Sequence, residues 1–61
     1  MLSDYLKNYR LTHGLTQSEM AKLLSLSQNA ISQYEAGKRA PTLAKIYYIA
    51  ERLGCAVSDI L

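Results

Sequence analysis

The 61-residue chain contains a single cysteine, Cys55, so no disulfide can form within it. Its one histidine, His13, has no second His or Cys at zinc-ligand spacing, and we expect no metal and no cofactor. No apolar run approaches the length of a membrane span, and the first residues lack the basic-then-apolar order of a signal peptide. These absences predict a cytoplasmic chain with no membrane partner, whose fold depends on packing alone.

Length and charge exclude some classes of function but do not identify one. Sixty-one residues predict one domain over 1–61, with a small core that buries about 60% of the unfolded chain's surface. A net charge of +2 favours a nucleic-acid partner only slightly. We do not expect an enzyme, because the sequence has no nucleophile–base pair, paired-carboxylate site or glycine-rich phosphate loop.

The order of glycines and capping residues predicts an all-α fold. Gly14, Gly37 and Gly54 each follow a stretch of apolar residues at helical spacing, where glycine closes a helix. Thr16 and Glu19 form a capping-box pattern, and Ser27 and Thr42 are further N-cap candidates. The pattern predicts helices over about 2–13, 17–24, 28–35 and 43–53, and a last short helix carrying Val57, Ile60 and Leu61.

The second and third helices are short and are joined by a turn of about three residues. Ala21 gives a small side chain where these helices cross, and Leu26 and Ile31 fill the space beneath. This is the packing of a helix-turn-helix, whose second helix can enter a major groove with its outer face. Helix 4 is expected to pack through Leu43, Ile46, Ile49, Ala50 and Leu53.

An ordered set of residues over essentially the whole chain resembles the phage-repressor and Cro-type helix-turn-helix family. The matching residues are Arg10, Gly14, Leu15, Thr16, Gln17, Glu19, Met20, Ala21, Leu24, Leu26, Ser27, Gln28, Ile31, Ser32, Tyr34, Glu35, Gly37, Lys38, Arg39, Pro41, Leu53 and Gly54. The resemblance implies a compact five-helix, lambda-repressor-like domain. It also implies a transcriptional regulator, typically a repressor, that binds a double-stranded DNA operator as a homodimer.

The chain departs from the family pattern at three positions. Ser25 stands where the family often has glycine, so the turn is expected to be strained or differently formed. Ala56 replaces a capping Ser or Thr, so the last helix is expected to fray. Leu23 occupies a usually polar position and is expected to be exposed.

The outer face of helix 3 is the candidate for base readout. It carries four uncharged hydrogen-bonding side chains, Gln28, Asn29, Ser32 and Gln33. Asn and Gln pair with adenine N6 and N7 in the major groove. Such a face can also be merely solvated, but the motif around it favours readout.

Five residues are candidates for contact with DNA phosphates: Thr16, Gln17, Ser27, Lys38 and Arg39. Gln17 opens helix 2, where free backbone N–H groups attract anions. The resemblance assigns Gln17 the same role and implies that its side chain braces Gln28. Lys38 and Arg39 follow helix 3, and such a basic loop can instead serve solubility alone.

The resemblance also implies a partly buried ion pair between Arg10 and Glu35, with any phosphate contact of Arg10 secondary. His13 is interpreted as a cation at the end of helix 1, and Cys55 as a small buried hydrophobe rather than a redox sensor. A dimer surface is expected near the C-terminus, where helix 4, Cys55–Val57 and Ile60–Leu61 leave apolar groups without an evident partner. A protein-interaction module, such as an antitoxin or adaptor, remains the alternative function.

Overall fold

The structure, a computed structural model, describes residues 2–61 and contains five α-helices in that range. No strand occurs in the same range, so the all-α prediction is confirmed, and α1 ends one residue earlier than predicted. None of these helices is long and apolar enough to cross a membrane. Their bounds are α1 Leu2–Thr12, α2 Gln17–Leu24, α3 Gln28–Glu35, α4 Leu43–Leu53 and α5 Val57–Ile60.

Hydroxyl side chains begin three of the helices, as the sequence predicts. The Glu19 N–H donates to Thr16 Oγ1 at 3.1 Å, and the Thr16 N–H donates to Glu19 Oε1 at 2.8 Å, which completes the capping box. Ser27 Oγ accepts from the Ala30 N–H at 3.0 Å, and Thr42 Oγ1 caps α4 in the same way. Each cap fixes a helix start at the predicted residue.

The start of α5 shows how the chain compensates for a missing cap. Ala56 has no side-chain acceptor, but its N–H donates to Asp59 Oδ2 at 3.1 Å. Ile60, on the same short helix, is completely buried. The Asp59 carboxylate and the buried Ile60 side chain both hold α5, and both oppose the fraying that the missing cap predicts.

The first four helices end with the same pair of backbone hydrogen bonds. In each, a residue with positive φ donates to the carbonyl three residues back, and the next residue donates to the carbonyl five residues back. Gly14, Gly37 and Gly54 occupy this position after α1, α3 and α4, as predicted. Ser25 occupies it after α2, with φ 55° and ψ 40°, and is the non-glycine residue with positive φ in the described range.

The core lies where α1, α2, α3 and α4 meet, and α5 covers one end. Its buried residues are Leu6, Met20, Ala21, Leu24, Ala30, Ile31, Tyr34, Ile49, Ala50 and Ile60. Leu26 packs against this core from the turn, as expected, and Leu23 is exposed, as also expected. The core confirms the helix-turn-helix packing of α2 and α3 that Ala21 and Ile31 predict.

Two expectations about apolar side chains are wrong. Leu43 was expected to pack inward, but it begins α4 and its side chain is 60% exposed. Ile60 was expected to lie in an unpartnered tail, but it is fully buried, whereas Leu61 is exposed. The helical period of the sequence predicts on which face of its helix a residue lies. At a helix end, the neighbouring helices determine whether that face is covered.

Candidate nucleic-acid interface

Helix α3 divides into an inner and an outer face. Ala30, Ile31 and Tyr34 are buried against the core. The opposite face of α3 carries the four residues predicted to read bases. Gln28 and Asn29 are exposed, and Ser32 and Gln33 are half-buried. None of these four side chains makes a hydrogen bond within residues 2–61. Their donors and acceptors are therefore available to a ligand.

The outer face of α3 forms a shallow concavity with the start of α2. Gln17, Gln28, Asn29 and Ser32 line this open space of about 370 Å³. All four side chains are uncharged and carry both donors and acceptors, or a hydroxyl that serves as either. Such a surface can match the mixed donor and acceptor pattern of base edges.

The N-terminus of α2 borders the same concavity. The capping box satisfies the N–H groups of Thr16 and Glu19, but those of Gln17 and Ser18 meet no acceptor in the described part of the chain. The oriented peptide dipoles place a partial positive charge at these groups. This end of α2 can therefore seat an anion such as a phosphate.

The hydroxyl groups of Thr16 and Ser27 retain one function beyond capping. Each oxygen accepts a hydrogen bond from a backbone N–H, so the hydroxyl hydrogen remains free to donate.

The capping box also affects the charge of Glu19. The hydrogen bond from the Thr16 N–H holds the pKa of Glu19 below its ordinary value. Glu19 is thus negatively charged at neutral pH, and its carboxylate is held at the cap.

Arg10 and Glu35 are brought together by α1 and α3. Arg10 Nε and Nη2 donate to the two Glu35 oxygens at 2.9 and 3.0 Å, and Arg10 Nη1 donates to the Leu15 carbonyl at 3.1 Å. The side chains are 15% and 4% exposed, respectively. The hydrogen bonds to Glu35 raise the pKa of Arg10. This forked pair fixes the end of α3 against α1 and the loop that follows it.

Gln17 joins the same network. Its Nε2 donates to Glu35 Oε1 at 3.3 Å, so the amide nitrogen is directed at the ion pair. Its Oε1 is then the atom available to brace Gln28, the contact that the family resemblance implies. The start of α2 and the end of α3 are thereby connected through one carboxylate.

Lys38 and Arg39 lie in the loop that follows α3 and are exposed. The Lys38 N–H donates to the Gln33 carbonyl at 3.0 Å as part of the helix closure. Arg39 Cζ lies 5.6 Å from the centroid of the Tyr34 ring, so a cation–π contact orients its guanidinium. The two cations stand at one end of the outer face of α3, and their contact with DNA remains a prediction.

His13 and Cys55 make ordinary contacts outside this surface. The His13 ring stacks on Tyr9 at 4.0 Å, and its Nδ1 donates to the Tyr9 carbonyl. Cys55 is half-buried rather than fully buried. Its hydrogen bond with Tyr5 raises the pKa of that hydroxyl to about 12. Within residues 2–61, no cluster of His, Cys, Asp and Glu could hold a metal ion.

Sequence reasoning missed two groups of residues near this site. Ser18 contributes a free backbone N–H beside that of Gln17, and its position inside the capping box, between Thr16 and Glu19, was the signal for it. Tyr48 and Arg52 contact the turn between α2 and α3, although they lie on α4. No local pattern marks them, because the contact depends on how α4 packs on α2.

Comparison with known proteins gives the family to which this fold belongs. The model of a family described as helix-turn-helix matches residues 6–60. An uncharacterized HTH-type transcriptional regulator of Methanocaldococcus jannaschii is 39% identical over 59 residues, which are 97% of this chain and 89% of that protein. The antitoxin PezA of Streptococcus pneumoniae is 33% identical over 61 residues, and the chain spans 39% of its length.

A solved structure gives the same result for the fold. The crystal structure of an HTH_3 family transcriptional regulator from Vibrio cholerae superposes with a TM-score of 0.81 at 32% sequence identity. The match covers 97% of this chain but only 33% of the other. The likeness therefore concerns one region of that larger protein.

Proposed function

This chain belongs to the helix-turn-helix family of DNA-binding transcriptional regulators, and from this premise we propose that it is a repressor that binds a symmetric operator as a homodimer. The observation that carries the proposal is the outer face of α3. Its four polar side chains have no hydrogen-bond partner within residues 2–61, although the helix beneath them is firmly packed. A rigid helix with unused amides suits the reading of base edges.

Readout would take place with α3 in the major groove. Gln28, Asn29 and Gln33 carry amides that pair with adenine N6 and N7, while Ser32 can pair with several bases. The helix contains no Arg or Lys, the residues that usually read guanine. We therefore expect half-sites that contain adenine steps.

Backbone contacts would position this helix at its two ends. The free N–H groups of Gln17 and Ser18, with the hydroxyls of Thr16 and Ser27, would bind phosphates beside the start of α3. Lys38 and Arg39 would bind the phosphate backbone beyond its other end. The Arg10–Glu35 pair would keep α3 in place without touching DNA.

A monomer of this kind reads only a few base pairs. Two copies on half-sites about 34 Å apart combine their readings through effective concentration. The half-buried Cys55 and Val57 and the exposed Leu61 offer a small apolar surface near the C-terminus. Ile60 is buried and is no longer part of this surface. We expect weak association in solution and stronger association on DNA, because the surface is small.

Selection of bound duplexes from a random DNA pool tests the proposal. The expected result is an adenine-containing, two-fold symmetric site. Sedimentation with the selected duplex should then give two chains per site, and a reporter whose promoter overlaps the site should be repressed. A one-to-one complex at protein concentrations well above the Kd would reject the dimer. Loss of selection in Gln28→Ala with Asn29→Ala, but not in Asn8→Ala on α1, would support α3 as the reader.

The similarity to the antitoxin PezA supports a second candidate, a domain that also holds a partner protein. Binding of such a partner without enrichment of any DNA site would favour this alternative. In both cases we propose binding without catalysis. We also propose a cytoplasmic location, since the DNA of microbes such as those that carry the named relatives lies there.

A further inference from the structure

Two hydrogen bonds join helix α4 to the last residue of α2 and to the turn that follows it, and a third links the two donor side chains. The Tyr48 hydroxyl donates to the Leu24 carbonyl at 2.9 Å. Arg52 Nε donates to the Tyr48 oxygen at 3.1 Å, and Arg52 Nη2 donates to Ser25 Oγ at 2.9 Å. Tyr48 and Arg52 are four residues apart and share one face of α4. We call these two side chains the α4 brace.

The α4 brace contacts Ser25, the residue with the least favourable backbone conformation in the turn. Ser25 adopts left-handed backbone, which costs an L-residue energy that glycine does not lose. The residue also sets the direction in which the chain leaves α2 and enters α3. A glycine here would be relaxed, whereas a serine offers an oxygen that a neighbour can hold.

Further contacts fix the geometry of the brace. Arg52 Cζ lies 5.3 Å and Lys45 Nζ 5.4 Å from the centroid of the Tyr48 ring. The Arg52 hydrogen bond also holds the pKa of Tyr48 below its ordinary value. The guanidinium is therefore held by the ring and directed at the turn.

We propose that Tyr48 and Arg52 are positioning residues for DNA recognition, which fix the orientation of α3 by holding Leu24 and Ser25 from α4. The proposal rests on the proposed function and adds two residues outside the outer face of α3 that contribute to DNA specificity. Because the brace acts on the placement of α3, it governs binding to the specific site more than binding to DNA in general.

Two variants and one control test this directly. Arg52→Lys keeps the charge, but its single ammonium nitrogen cannot occupy the positions of both Nε and Nη2. Tyr48→Phe keeps the ring and removes the hydroxyl. Lys45→Arg is the matched control, a conservative exchange at the same ring without a bond to the turn. We expect each brace variant to bind the selected operator roughly 3- to 10-fold more weakly, the effect of about one hydrogen bond.

Two readouts separate positioning from general destabilisation. Affinity for an unrelated duplex should change less than about twofold in all three variants, since phosphate contacts carry that binding. Hydrogen exchange of the Leu26 amide, which donates to the Ala21 carbonyl at 2.9 Å, should accelerate in the brace variants and not in the control. Equal losses on both duplexes would overturn the proposal.

A rescue experiment completes the test. In a Ser25→Gly background, the left-handed residue is relaxed and the oxygen that Arg52 holds is gone. Arg52→Lys should then change operator affinity by less than about twofold. A loss as large as in the parent background would show that Arg52 acts without Ser25, and would overturn the proposal. If the parent bound no duplex, the proposed function and the role in recognition would both fail, while the exchange rates would still support the brace.

Discussion

Replacement of Arg10 by Met is the sharpest test of how the recognition helix is held. The Glu35 carboxylate is 4% exposed and accepts three hydrogen bonds, two of them from Arg10. The variant would leave a buried charge with only the Gln17 amide, at 3.3 Å. Breaking a fully buried pair from one side costs about 3–5 kcal/mol, and this part-buried pair should lie at or below the lower end of that range. A chain of 61 residues has roughly 3–9 kcal/mol of stability in total, at about 0.05–0.15 per residue.

The two partners should respond unequally. Glu35→Leu leaves Arg10 with its bond to the Leu15 carbonyl and with a side chain that is 15% exposed, so water can reach the guanidinium. We expect this variant to lose about 1–3 kcal/mol, less than Arg10→Met. The double variant should be more stable than Arg10→Met alone, because no buried charge remains.

Urea unfolding of the parent, both single variants and the double variant, followed by circular dichroism, measures the coupling. Lys7→Met is the control, since it removes an exposed cation from the same helix and should change stability by less than about 0.5 kcal/mol. Single losses that add within about 0.5 kcal/mol in the double variant would refute the reasoning. A small loss in Arg10→Met would do the same.

Three further substitutions test the interface and the start of α2. Gln28→Ala should weaken operator binding by about 1–3 kcal/mol and relax the base preference at one position, as read from a repeated selection. Arg39→Ala should weaken binding to all duplexes alike and reduce the slope of log K against log salt by about 0.9 in a titration series. Glu19→Gln should flatten the pH dependence of stability in urea unfolding below about pH 5, where the unfolded-state carboxylate begins to bind protons. The hydrogen bond from Thr16 lowers the pKa of Glu19, so its contribution is present above about pH 4.3 and is lost as the pH falls through the folded-state pKa.

Each of these outcomes has a contrary result. An unchanged base preference in Gln28→Ala would remove α3 as the reader. The same salt slope in Arg39→Ala and the parent would place Arg39 off the phosphate backbone. The exposed Glu51 is the control for Glu19. A Glu51→Gln variant with the same flattening would show that the effect belongs to net charge and not to the cap.

The helix bounds could be predicted from the sequence because their causes are local. Thr16, Ser27 and Thr42 each cap a donor three residues ahead, and three glycines close the helices before them. The outer face of α3 follows from the same helical period. These features depend on neighbours within one helical turn, so a reader of the sequence has all the necessary information.

Contacts between distant elements could not be predicted in the same way. The Gln17 bond to Glu35 and the Arg52 bond to Ser25 join residues 18 and 27 positions apart. Leu43 and Ile60 were misplaced because the period cannot tell which helix covers an end. The roles of the reading and phosphate residues also remain predictions, since they depend on the geometry of DNA as well as of the protein.

The division of α3 into two faces also matters for how such a protein changes over time. Ala30, Ile31 and Tyr34 supply the burial that holds the helix, while Gln28 and Asn29 have no partner within residues 2–61. Substitutions at the outer positions therefore leave the core untouched and cost little stability. A lineage can pass through many outer-face sequences while every intermediate still folds. The ligand preference of the outer face can therefore change while the fold stays the same, so a new regulatory target does not require a new fold.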